Sequence, residues 1–383
     1  MIDYELTEME KELQKRLRAL CREEIAPHAP ILANGAGEEI RALLPVRLRK
    51  LAAAGYMETL VRGDFVAQCV AGEEVAKACP STFLAAMSSG TAFGRTLAVF
   101  GTQSQRSRFL DGIVKGEVIG ALAATEATGG SDLGGIVTEA RPAPGGWVLE
   151  GAKDLVTNAP LADTFLVLAW TNRESGLDGG LSFFLVDRGA PGLEVGETVE
   201  TMGLRGAPTA GITLRDCFVP SDALVGGEGG GMGVFSAVSC WLGLAVSAMS
   251  VGIGVACMEV STRQGKQKRA FGKPIGHFEG VGAKLAVMFT HNDLGRMLTL
   301  RAAWALDRGA EDGAVLVSCA KVFTGESVNK IADLAMQTHG GHGYLRGTDI
   351  ERLYRDARFA ELAYGTTERQ RVSIARDGLG RFR

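Results

Sequence analysis

The spacing of apolar residues changes twice along this 383-residue chain, which limits it to folds with a β-rich segment between two helical ones. Up to about residue 117 the period is helical. Thr7 and Glu10 form a T-x-x-E capping box, and Leu6, Met9, Leu13, Leu17 and Leu20 then recur along one helix face. Further helical stretches are expected at about 40–54, 66–79 and 82–99, with Pro80 and Gly101 as punctuation. From about 118 to 225 short β-type runs take over: Thr164 to Trp170, Leu181 to Val186 and Gly211 to Leu214. Turns such as Pro144-Gly-Gly146 and Gly189-Ala-Pro-Gly192 separate them. After the glycine cluster Gly226–Gly233, read as a tight hinge into a helix, helical runs occupy about 234–266, 279–308, 314–338 and 365–377. The expected layout is α+β, with domains at 1–117, 118–225 and 226–383.

Composition excludes several functions. A net charge of -3 gives no electrostatic footprint for nucleic acid, and no run of like charges suggests a membrane surface. No window reaches about 18 uninterrupted apolar residues, as a membrane span requires. The N-terminal MIDYELTEMEKELQ is acidic and reads as helical, unlike a signal peptide. The seven cysteines are scattered without a C-x-x-C pair, and the five histidines lack metal-ligand spacing. The expectation is buried thiols in a reducing, cytoplasmic compartment and no metal.

Four stretches stand out. Ala124-Thr-Glu-Ala-Thr-Gly-Gly-Ser-Asp132 follows a β-type run and is dense in small polar residues. Such a loop brings backbone N–H groups and hydroxyls close to a flat heteroaromatic ligand, because glycine permits close approach. Lys153-Asp-Leu-Val-Thr-Asn158 and Arg269-Ala-Phe-Gly-Lys-Pro274 say little alone. Gln337-Thr-His-Gly-Gly-His-Gly-Tyr344 places three glycines after a helix, a backbone nest suited to phosphate or ribose oxygens. It is not a G-x-G-x-x-G following a strand, so a Rossmann domain is not expected.

Taken together and in order, these stretches resemble the acyl-CoA dehydrogenase family over nearly the whole chain. Met202-Gly-Leu-Arg-Gly206, Val219-Pro220, Tyr354-Arg-Asp356 and Gly365-Thr-Thr-Glu-Arg-Gln-Arg371 also match. The resemblance implies an N-terminal helical domain, a central β-barrel and a C-terminal four-helix bundle. It also implies FAD held between subunits of a homotetramer, an acyl thioester on CoA or an acyl carrier protein, and electron-transfer flavoprotein as a possible redox partner.

Family roles carry over by position. Leu122, Ala124, Thr125, Gly130, Ser131, Leu155 and Thr157 match the flavin-ring end, Leu155 replacing a frequent aromatic. Phe271, Gln337, Gly340, Gly341, Thr366 and Glu368 match the pyrophosphate and adenosine end. The usual phosphate-binding arginine is Lys268, with Arg269 beside it, and a glutamine expected after Phe278 is Glu279. Lysine supplies charge without the bidentate fork. Ser131, Leu242, Gly243 and Gly365 match positions on the substrate side.

The largest departure concerns the proton. The family removes an α-proton from the thioester while hydride passes to the flavin, and a carboxylate serves as base. That carboxylate normally precedes Gly365, where this chain has Tyr364, a phenol with an ordinary pKa of about 10. Some members carry it on a bundle helix instead, a position matched by Leu242, with the accompanying arginine at Gly243. Both positions are empty. The Pro-acidic-acidic-aromatic-Gly-Gly element of the N-terminal domain is missing as well, from Ala54 to Asp64. A one-residue insertion would bring Glu361 nearer the base position. Three readings follow: an atypical FAD-dependent oxidoreductase on an acyl thioester, a non-catalytic partner subunit in a hetero-oligomer, or a flavin monooxygenase on the same fold.

Overall fold

The computed structural model describes residues 5–34 and 37–381. The N-terminal helix Glu8–Leu20 starts where the capping box puts it: Thr7 and Glu10 each accept the other's backbone N–H. Leu13 and Leu17 are buried, while Met9 in the first turn stays 79% exposed. Residues 1–4 of the expected N-terminal helix lie outside the described residues. Helices Gly37–Ala53, Tyr56–Arg62, Phe65–Ala78 and Gln103–Val114 complete the domain with Pro80–Met87. The stretch expected as one helix at 82–99 has a widened π-type turn at Ser88–Arg95. Its small residues allow close packing there, since a Cβ on Gly90 would come within 2.8 Å of Leu60 Cβ.

The middle region holds β1 (Gly120–Ala123), β2 (Glu139–Ala143), β3 (Gly146–Thr157), β4 (Thr164–Trp170), β5 (Leu181–Asp187), β6 (Leu193–Thr198), β7 (Thr209–Pro220) and β8 (Leu224–Val225). They form one mixed sheet in the order β6-β7-β3-β2-β4-β5-β8, with β1 parallel to β4. The expected β-barrel is not closed. Closure would pair β6 with β8, but β6 is largely exposed and β8 has only two residues, too short to continue the ladder. β4 is buried along its whole length, as expected for a strand covered on both faces.

The C-terminal region is helical: Gly231–Gln267, Glu279–Asp307, Gly313–His339 and Thr367–Arg381, the first three packing on one another and the last against Gly313–His339. Gly231–Gln267 spans about 55 Å. By length and hydropathy it could cross a membrane, which the sequence reading did not register. Yet 89% of its apolar window is buried within the fold, against Phe65–Ala78 and the other bundle helices. Its all-round apolar character is that of a core helix.

Candidate active site

A cavity of about 730 Å³ lies where the sheet, the two central bundle helices and the C-terminal segment meet. One wall comes from β1 and the loop after it: Leu122, Ala124, Thr125, Gly130 and Ser131 all line the cavity. That loop is tied down by a buried carboxylate. Glu126 accepts hydrogen bonds from the Val137 N–H (2.6 Å), the Thr138 N–H (3.1 Å) and the Thr138 hydroxyl (2.6 Å). It also accepts one from Lys153 Nζ at 2.7 Å. Burial pushes the Lys153 ammonium down to about 8, which leaves the pair ionised at neutral pH. Glu126 is held below its ordinary range: burial works to raise it, and the Lys153, Thr138 and Val137 donors overcome that.

Lys153 opens the stretch of β3 that carries Asp154, Leu155 and Thr157 to the cavity. Leu155 is 61% exposed with φ +53°. Six non-glycine residues adopt positive φ among the described residues, and three of them (Leu155, Leu204 and Tyr364) line this cavity. Backbone strain of this kind persists only where surrounding contacts fix it, and it gathers at functional sites. For Leu204 the fixing contact is the buried Asp356, whose Oδ1 accepts the Leu204 N–H at 2.6 Å.

Tyr364 has φ +51°, an outlier for an aromatic residue, and is followed by Gly365 at φ +91°. Its ring meets Phe359 edge-on at 6.2 Å, and its hydroxyl lies beside the Thr157 side chain. Burial pushes the phenol up to about 12, against the opposing effect of Thr157. Among the described residues, Asp154 is the one carboxylate lining the cavity. Glu361 is not brought into it and pairs with Arg358 at 2.9 Å instead. Leu242 does line it; Gly243 does not, and a Cβ there would sit 3.1 Å from Val317 on the facing helix.

The remaining sequence-predicted residues gather elsewhere. Lys268 Nζ donates to the His339 carbonyl at 3.4 Å beside Gly340, and Arg269 donates to the Gly272 carbonyl at 2.6 Å. Phe271, at φ +49°, turns a two-residue hairpin and is 95% exposed. Gln337 is exposed on the last turn of its helix, ahead of Gly340 and Gly341. None of these six lines the cavity. Thr366 lines it, whereas Glu368 points away into solvent, held below its ordinary range by its own backbone N–H and Thr366. Residues missed by the sequence reading include Asp154, Leu204, Phe359 and Arg369 in the cavity wall. Asp154 and Arg369 sit inside motifs already singled out, so proximity in sequence was the available signal.

The arrangement can admit a flat ring. Thr125, Ser131, Thr157 and Thr366 offer hydroxyls, Leu155 an apolar surface, and Gly130 clearance, since a Cβ there would come within 3.3 Å of the Thr125 methyl. An extended tail leaving the cavity would need partners that this copy's own Lys268–Gly341 cluster does not supply to it.

Three family models match in succession: acyl-CoA dehydrogenase N-terminal domain over residues 7–117, middle domain over 121–217 and C-terminal domain over 229–379. The chain is 32% identical over 383 residues to the probable acyl-CoA dehydrogenase YngJ of Bacillus subtilis, covering 98% of this chain and 99% of that protein. Its structure superposes on a glutaryl-coenzyme A dehydrogenase–glutaryl-CoA complex with a TM-score of 0.93, at 28% identity over 99% of this chain and 97% of that one. The prolyl acyl carrier protein oxidase AnaB gives a TM-score of 0.90, at 26% identity over 97% of this chain and 99% of that one.

Proposed function

The chain belongs to the acyl-CoA dehydrogenase family, FAD-dependent oxidoreductases acting on CH–CH groups, and from that premise we propose that it works on a CoA- or carrier-protein-bound acyl thioester without the usual carboxylate base. The observation that carries this reading is the half-buried Tyr364 phenol in a cavity whose one carboxylate among the described residues is Asp154. FAD, when bound, supplies a hydride acceptor or donor at the thioester β-carbon. Thr125, Ser131 and Thr157 would orient the ring, Leu155 would pack on it, and Thr366, matched to the pyrophosphate and adenosine end, also lines the cavity. Tyr364, protonated at neutral pH, offers a hydrogen-bond donor or proton donor near the acyl chain in place of an anion.

The outward cluster of Lys268, Arg269, Phe271, Gln337, Gly340 and Gly341 fits a role on a neighbouring copy's cofactor, which favours a homotetramer. Electron-transfer flavoprotein is the redox partner of choice, and the cytoplasm the compartment. The partner-subunit alternative has less support, because the residues assigned to the ring line a single cavity of one chain. Nothing specific in the cavity favours the monooxygenase reading.

Anaerobic titration of the purified protein with butyryl-CoA tests the proposal. A yellow protein is expected, bleaching at least about 10²-fold more slowly than a carboxylate-equipped site would allow. Fast bleaching sinks the missing-base reading. A protein that stays colourless with added FAD sinks the cofactor assignment.

A further inference from the structure

We propose that Arg369 is a phosphate-gripping residue of this site, contributed by the same chain that forms the ring pocket. The group it takes is the diphosphate of the bound dinucleotide. The proposal rests on the FAD reading above, and one other source, the phosphates of a CoA or phosphopantetheine carrier, shares the same chemistry.

Three observations converge on this residue. Arg369 lines the cavity yet remains exposed, which places it at the rim, and with Asp154 it is one of two charged side chains there among the described residues. It reaches across the mouth: its Nη1 donates to the Ser131 carbonyl at 2.9 Å, joining the C-terminal helix to the loop that carries Thr125 and Gly130. Among the described residues it has no carboxylate within ion-pair distance, although it lies in the first turn of Thr367–Arg381. The partial positive charge of a helix N-terminus disfavours a cation there, so the placement calls for an anion nearby.

The chemistry suits a phosphoryl group. A guanidinium presents five N–H donors in a planar fork, and one of them on Ser131 leaves the others free for paired oxyanion contacts. Lys268, where the resemblance expects an arginine, offers a point charge with no fork, and in this copy it is half-buried with its Nζ on the His339 carbonyl. Arg369 supplies within the chain a bidentate charge that the Lys268 ammonium cannot supply.

The test is binding to apo-protein, with Arg369→Gln and Arg369→Lys beside the unmutated protein. FAD is compared with riboflavin, which keeps the ring and lacks the diphosphate. Butyryl-CoA is compared with butyryl-pantetheine, which lacks the phosphates. Arg369→Gln should weaken FAD about 10- to 100-fold and leave riboflavin within about threefold, with partial rescue by Arg369→Lys. Loss confined to butyryl-CoA, with FAD and butyryl-pantetheine unchanged, upholds the phosphate grip and assigns it to the thioester carrier. Equal weakening of FAD and riboflavin overturns the proposal and reduces Arg369 to a latch on Ser131. No change in any ligand overturns it too. If the unmutated protein takes up no FAD, the cofactor reading fails separately, and the butyryl-CoA arm alone decides Arg369.

Discussion

Lys153 Nζ and Glu126 Oε1 lie 2.7 Å apart, with side chains 0% and 3% exposed, and between them they fasten both ends of the loop that forms one wall of the cavity. A buried pair of this kind is poor evidence of net stabilisation, but breaking it strands the remaining charge. Lys153→Met is therefore expected to lower unfolding stability by about 3–5 kcal/mol, read by urea titration, and to lower flavin retention with it. The pH dependence has a defined sign. Glu126 titrates below its ordinary value in the folded protein, so its stabilisation is present above about pH 5 and fades as pH falls through the folded pKa. Lys153 has the opposite character: with a folded pKa of about 8 below its unfolded value, stability should rise between about pH 8 and 10. A Lys153→Met variant that keeps that alkaline rise would show that another group causes it.

Asp356 holds Leu204 in its left-handed conformation through a single acceptor contact in the protein interior. Asp356→Ala leaves a buried N–H without its partner and should cost about 1–3 kcal/mol. Flavin retention should drop as well, because residues 201–209 supply part of the cavity wall. Asp356→Asn keeps an acceptor and should be milder. Equal loss in both variants would point to the charge, with Arg352 at 3.9 Å, as the important contact.

The outward cluster makes a separable prediction. Phe271 and Gln337 are exposed in one copy and do not reach its own cavity, so the cofactor role proposed for them needs a second copy. Gln337→Ala should lower FAD retention more than turnover per bound flavin, and size measurement should give a homotetramer. An FAD-loaded monomer would leave these residues without a function.

Much of this was legible in the sequence because local chemistry and period agree. Thr7 and Glu10 cap a helix wherever an apolar stripe follows, and the runs at 164–170 and 181–186 emerged as β4 and β5 within one residue of their expected ends. Closure of the sheet was not legible, since it depends on whether β6 meets β8, a pairing between distant segments with no sequence period to report it. The cavity shows the same division. Motif positions such as Thr125, Ser131 and Thr157 could be named one by one, but Leu204 enters through the Asp356 contact 152 residues away. Arg369 likewise enters by reaching Ser131 across 238 residues.

Tyr364 carries the last prediction. A phenol pushed up to about 12 leaves roughly one molecule in 10⁵ ionised at neutral pH, so it cannot replace a carboxylate as a resting base. Saturated acyl-CoAs should therefore bleach the flavin slowly, with a deficit of at least about 10²–10⁴-fold. Tyr364→Glu places a carboxylate at the same strained turn, facing Thr157 in the same cavity, and should gain measurable dehydrogenation of butyryl-CoA. Its geometry is helped by Gly365, whose φ of +91° lets the backbone turn after it, and limited by Gly243, where no arginine is present to orient the new carboxylate. Tyr364→Phe removes the hydroxyl and keeps the ring against Phe359. If the native chemistry uses the phenol as a proton or hydrogen-bond donor, Phe should lose turnover on the native thioester while retaining FAD and the ring contact. Activity unchanged in Tyr364→Phe would confine Tyr364 to shape-filling. A further loss in Asp154→Asn would move the proton chemistry to Asp154, the cavity's one carboxylate among the described residues.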